Sequence, residues 1–106
     1  MNKEEWRRLY EILNQIHSDF YTAYHEYDKG KNKKIRKAGE RRVEDAIFHA
    51  DHHICKNIEA YKLLTGDDGS DYSRAIIYDE FRQPRYFGRD LGGFLKLIQT
   101  KINSLE

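Results

Sequence analysis

Three histidines crowd one stretch, Ala46-Ile47-Phe48-His49-Ala50-Asp51-His52-His53-Ile54-Cys55. On a helix, residues four apart share a face, which puts His49 with His53 and Asp45 with His49. A His-x-x-x-His pair joined by Asp45 can close on zinc or another transition metal, because i and i+4 ligands converge on one ion. His17, His25 or a neighbouring subunit would have to complete that shell. The glutamate of the zinc-protease pattern His-Glu-x-x-His is absent, so a protease of that kind is excluded. Viewed down the axis, Arg42, Asp45, His49, His52 and His53 fall away from the Val/Ile/Ala stripe, with His53 nearest its boundary. The same polar face also suits a subunit interface or plain solvent exposure.

The spacing of Arg42 and His49, Arg-x6-His, is similar to the motif of HEPN-type ribonucleases, compact helical domains that often dimerise. The resemblance covers eight residues and implies a metal-independent attack on an RNA backbone by Arg42 and His49, with Asp45 or His52 assisting. Arginine would stabilise the charge of a phosphorane, and a histidine titrating near neutrality would shuttle a proton. Val43 stands where that family usually has a polar residue. Seven residues of continuous helix also separate the two groups by about 10 Å along the axis. Both can reach one phosphodiester only across a dimer or with a local bend.

The second feature is electrostatic. Lys29, Lys31, Lys33, Lys34, Arg36, Lys37, Arg41 and Arg42 form a run of eight cations interrupted by one acid, Glu40. The chain totals 19 basic and 18 acidic residues, so the remainder holds 11 basic and 17 acidic. A net charge of +1 thus conceals a segment near +7 on a body near −6. Such a run serves either as a solvated connection or as a seat for phosphate. Lysines supply mobile point charges, and the three arginines can chelate phosphate with two parallel hydrogen bonds. The acidic remainder and the lack of a helix-turn-helix glycine pattern argue against a long duplex footprint.

A third cluster, Phe81-Arg82-Gln83-Pro84-Arg85-Tyr86-Phe87-Gly88-Arg89-Asp90, interleaves arginines with aromatics, the residues that stack on bases and anchor interfaces. Arg82, Arg85, Tyr86 and Arg89 therefore join Lys31, Lys33, Lys34, Arg36, Lys37, Arg41 and Arg42 as candidate ligand-binding residues. Gly88, Gly92 and Gly93 are costly inside a helix and permit close backbone approach there. Tyr10, Tyr21 and Tyr24 flank His17, either as packing groups with a hydroxyl at the edge or as a stacking wall for a base.

These groups must be carried by helices. Trp6, Leu9, Leu13, Ile16, Phe20, Tyr24 and Tyr27 recur at steps of three and four, predicting a first helix from about Lys3 to Tyr27, with Gly30 in a C′ role. Lys31–Lys34 reads as a polar connection. Val43, Ile47, Ala50, Ile54, Ile58, Tyr61 and Leu64 predict a second helix ending at Gly66. Tyr72, Ile76, Ile77 and Phe81 predict a short one. Pro84 opens the last, with Phe87, Leu91, Phe94, Ile98, Ile102 and Leu105 inward. The expectation is one all-α domain over residues 1–106, a bundle of three long helices and a short one. The apolar arc of the first helix, widened by Ile12, Ala23, Tyr10, His17 and Tyr21, predicts completion by self-association.

With hydrophobic residues at 39% and charged residues at 35%, no run is apolar enough to cross a membrane. The lone Cys55 and the polar first residues suggest a reducing, cytoplasmic setting without a secretory signal. The leading expectation is a non-enzymatic, oligomeric binding protein that uses no cofactor. It would engage a nucleotide-like ligand, a nucleic acid or an acidic protein surface through the basic connection. Small charged proteins of this kind are common among the sequestering and inhibitory factors of phages and mobile elements.

Overall fold

A computed structural model describes residues 1–66 and 84–106, with Pro84 and Arg85 followed by backbone alone. The described residues form four helices and no strand: α1 (Lys3–Lys29), α2 (Lys33–Lys56), α3 (Ile58–Thr65) and α4 (Pro84–Ser104). The all-α bundle expected from the periodicity is what forms. The short helix expected over Tyr72–Phe81 lies outside the described residues, as does Arg82.

Each boundary has a local cause. At the start of α1 the Asn2 side chain accepts a hydrogen bond from the Glu5 amide, and the Glu5 carboxylate accepts one from the Asn2 amide. This reciprocal pair satisfies two otherwise orphaned donors. Asn32 caps α2 by accepting from the Ile35 amide at 2.9 Å, so α2 begins at Lys33, inside the stretch expected to be connection. Gly30 does not take the left-handed conformation expected of a C′ glycine; its φ of −58° and ψ of 144° are extended. Glycine is needed there for space, because a Cβ would lie 2.5 Å from the Glu26 carbonyl oxygen and 2.9 Å from Ile35 Cγ2.

The second periodic run is not one helix. It breaks at Asn57, whose φ of −121° and ψ of 38° leave the helical region. The Asn57 side chain donates to the His53 carbonyl at 2.8 Å, and its amide donates to the Ile54 carbonyl. A side chain that competes for backbone groups ends the ladder, as asparagine is prone to do. Gly66, at φ 74°, closes α3 in the left-handed conformation, as its position predicts.

α1 is the hub. α2 packs along one side of it and α4 along the other. Trp6, Leu9, Leu13, Ile16 and Phe20 are buried between them, against Val43, Ile47, Ala50 and Ile54 of α2 and Phe87, Leu91, Phe94, Ile98 and Ile102 of α4. The breadth of the α1 arc therefore has a use within one chain, because it faces two neighbours. Tyr21 and Tyr27 at its margins remain 46% and 38% exposed. α4 runs antiparallel to α1: the Phe87 ring lies tilted against Phe20 at 5.0 Å, while Lys3 and Arg7 both meet the Glu106 carboxylate at 3.3 Å. Those cations hold the Glu106 carboxyl below the usual glutamate range.

Candidate functional site

Beyond the Phe20–Phe87 and Tyr21–Gly88 contacts, the last turns of α1 and the first turns of α2 form a two-helix corner. All eight cations of the basic segment sit there, exposed. Lys29 lies 3.7 Å from its neighbour Asp28, and Arg36 donates to the Gly30 carbonyl at 3.0 Å. Arg42 pairs with Glu26 of α1. Among the described residues Lys31, Lys33, Lys34, Lys37 and Arg41 make no ion pair. The first turn of α2 contains no acid, and Lys33 and Lys34 stand at the positive end of its dipole. That is the reverse of the usual preference. The corner consequently concentrates positive potential from side chains and backbone together.

The two helices approach tightly at Gly39. A Cβ there would fall 2.5 Å from the Tyr27 amide nitrogen, 2.9 Å from the Ala23 carbonyl oxygen and 3.0 Å from the Glu26 carbonyl carbon. One turn further along α2, Arg42 is aimed at Glu26 by this contact. Beyond the pair opens a cleft of about 300 Å³ lined by Ile16, Asp19 and Thr22 of α1 and Arg42, Asp45, Ala46 and His49 of α2. Asp19 accepts from Gln15 at 2.9 Å, and the Thr22 hydroxyl donates to the Ser18 carbonyl. The side chains of Asp45 and His49 make no hydrogen bond or ion pair among the described residues.

The structure thus gathers Arg42, Asp45 and His49 in one cleft, and leaves His52 and His53 further along α2. The His52 and His53 rings meet edge to face at 5.5 Å. Burial lowers the His53 pKa below 6.5, and the charges of His52, Lys56 and His49 act in the same direction. Among the described residues no three His, Cys, Asp or Glu side chains converge as a metal site requires, so Asp45, His49 and His53 are not assembled as a ligand set. His17 is occupied elsewhere, with Nε2 3.1 Å from the Gly88 carbonyl oxygen of α4.

Of the arginine-aromatic cluster, Tyr86–Asp90 have described side chains, and the side chain of Arg85 lies outside the described residues with Arg82. Arg89 lies over the Tyr86 ring at 5.0 Å and pairs with Asp90 at 3.2 Å. Gly88 and Gly92 allow the close approach expected of them, Gly88 against Tyr21 and Phe20, Gly92 against His17. Among the described residues nothing lies within 4 Å of where a Gly93 Cβ would stand. Tyr21 meets His17 edge to face at 4.9 Å and Tyr24 stacks on Phe20 at 5.9 Å, which uses them in packing.

Sequence reasoning missed Glu26, Asp19 and Thr22. Their spacing on α1 points toward α2, but only the register set at Gly39 reveals which residues they face. No family model, curated protein or solved structure matches this chain. Its similarity to HEPN-type ribonucleases rests on Arg42–His49 alone. Among the described residues no helix is long and apolar enough to cross a membrane.

Proposed function

We propose that this chain is a non-enzymatic helical binding protein that engages a phosphate-bearing polyanion through the α1–α2 corner and self-associates. The observation that carries the reading is the unpaired state, among the described residues, of Lys31, Lys33, Lys34, Lys37 and Arg41. Nothing in folding requires five exposed cations along this corner; they repel one another, and Lys33 and Lys34 in the first turn also oppose the α2 dipole. An extended anion relieves that repulsion all along the corner at once. From Lys33 to Arg42 the cations span about 13 Å of helix axis, a length that several successive phosphates can follow. The exposed Tyr21, Tyr27, Leu63 and Leu97 favour pairing with a second copy.

The test is equilibrium binding of a labelled single-stranded oligonucleotide as salt is raised. Five phosphate contacts on a single strand give a logarithmic salt slope near −3.5, so affinity falls roughly a hundredfold between 50 and 200 mM. An affinity that ignores salt refutes the reading.

The joint lining of one cleft by Arg42, Asp45 and His49 favours a second reading, a metal-independent ribonuclease. α2 is unbroken between Arg42 and His49, so both could act on one phosphodiester only with help from a second copy. Incubation of labelled RNA in EDTA separates the readings. Cleavage that His49→Ala abolishes would establish the enzyme, and intact RNA would retire it.

A further inference from the structure

Of the eight corner cations, Arg42 alone is paired, among the described residues, with a carboxylate from the other helix, Glu26. A guanidinium offers a planar fork of donors that fits carboxylate and phosphate in the same way. Whatever Arg42 would do for a phosphate, the Glu26 carboxylate is already doing. The pairing is built in by backbone contact, since the tight approach of Gly39 to Ala23, Glu26 and Tyr27 fixes the register that faces Arg42 toward Glu26. Both side chains are also accessible, with 49% of Arg42 and 35% of Glu26 exposed, so an incoming anion can reach the pair without unfolding anything.

We infer that Arg42 is the arginine seat for a phosphate of the bound polyanion and that Glu26 is its resident competitor, exchanged for that phosphate on binding. The inference rests on the proposed engagement of a polyanion at the corner. A carboxylate on α1 satisfies Arg42 but leaves the neighbouring Arg41, Lys37 and Lys34 uncompensated. A phosphate arriving as part of a chain satisfies Arg42 and those cations together, which drives the exchange toward the multivalent ligand. An isolated small anion gains no such advantage and leaves Glu26 in place. The pair therefore acts as a threshold that favours extended phosphate chains over free phosphate or chloride.

A double-mutant cycle on the full chain tests this, with the labelled oligonucleotide as probe. Glu26→Gln is isosteric, and thermal melts with circular dichroism confirm that the variants stay folded. Freeing Arg42 from an exposed ion pair should tighten binding about two- to fivefold. Glu40→Gln, which adds the same charge inside the basic segment, measures the gain from net charge alone. In an Arg42→Gln background the Glu26→Gln gain should shrink to the level of that control. A gain of undiminished size without Arg42, or no gain beyond the control, overturns the exchange while leaving salt-dependent binding intact. If the unmodified protein binds no oligonucleotide even at low salt, the polyanion reading fails and the exchange falls with it.

Discussion

Charge reversal at Lys33 and Lys34 should move stability and binding in opposite directions. Both residues occupy the first turn of α2, where no acid is present and the Asn32 side chain provides the cap. A cation at this end of a helix opposes the macrodipole by roughly 0.3–1 kcal/mol, and an anion gains a similar amount. Two reversals therefore stabilise the fold by about 1–2 kcal/mol once mutual screening is allowed for. In a domain of this size, that raises the melting temperature by ~5–10 °C. The same change removes two phosphate contacts. The salt slope should fall by about 1.4 and oligonucleotide affinity at least tenfold near 100 mM salt. Circular dichroism melts and fluorescence anisotropy on Lys33→Glu plus Lys34→Glu read the two effects on one sample. An unchanged or lower melting temperature would refute the account of uncompensated charge at the α2 start, and undiminished binding would refute its purpose.

Gly39→Ala should destabilise by about 1–3 kcal/mol in a melt, because its Cβ meets backbone that cannot move aside, whereas Gly93→Ala should stabilise by about 0.5–1 kcal/mol, since no described residue lies within 4 Å. His53 gives a pH effect. Its folded pKa lies below 6.5, so the unfolded chain takes up that proton first as pH falls. Stability from the neutral ring is present above 6.5 and lost as pH drops from there through the folded value. Urea midpoints at pH 7.5 and 5.5 should differ less in His53→Gln than in the parent, and an equal difference would remove His53 as the cause. Amide hydrogen exchange should be faster at Tyr24–Ala38 than at Leu9–Phe20 and should slow at the corner when oligonucleotide is added.

What the sequence made legible was whatever depends on near neighbours. The stripe from Trp6 to Phe20 and the stripe from Phe87 to Ile102 were readable because burial repeats with the helical period. Gly66 and Pro84 mark ends through their own dihedral limits. The break at Asn57 was hidden because Ile54, Ile58 and Tyr61 keep the period across it, and only the side-chain bond to His53 shows the interruption. The wide arc of α1 was legible as a width but not as an assignment. A half-circumference of apolar surface suits a second subunit as well as a second helix, and the antiparallel placement of α4 is a long-range fact. For the same reason Arg42, Asp45 and His49 were readable as one helix face, whereas Glu26 and Asp19 opposite them were not.

The way the corner is held explains how it can carry so much like charge. From Thr22 to Arg42 the fully buried residues are Ala23 and Gly39, and half-buried Tyr24, stacked on Phe20, is the large side chain that ties these turns to the core. They are joined by backbone proximity at Gly39, the Asn32 cap, the Arg36–Gly30 hydrogen bond and the Arg42–Glu26 pair. Three of these four ties use polar groups at the surface. Repulsion among the lysines therefore loads turns with little apolar burial to resist it, while the core from Trp6 to Phe20 is spared. A segment chosen for stability alone would place acids at the start of α2. The departure from that preference, beside so many unpaired cations, is what makes anion engagement the economical reading of this surface.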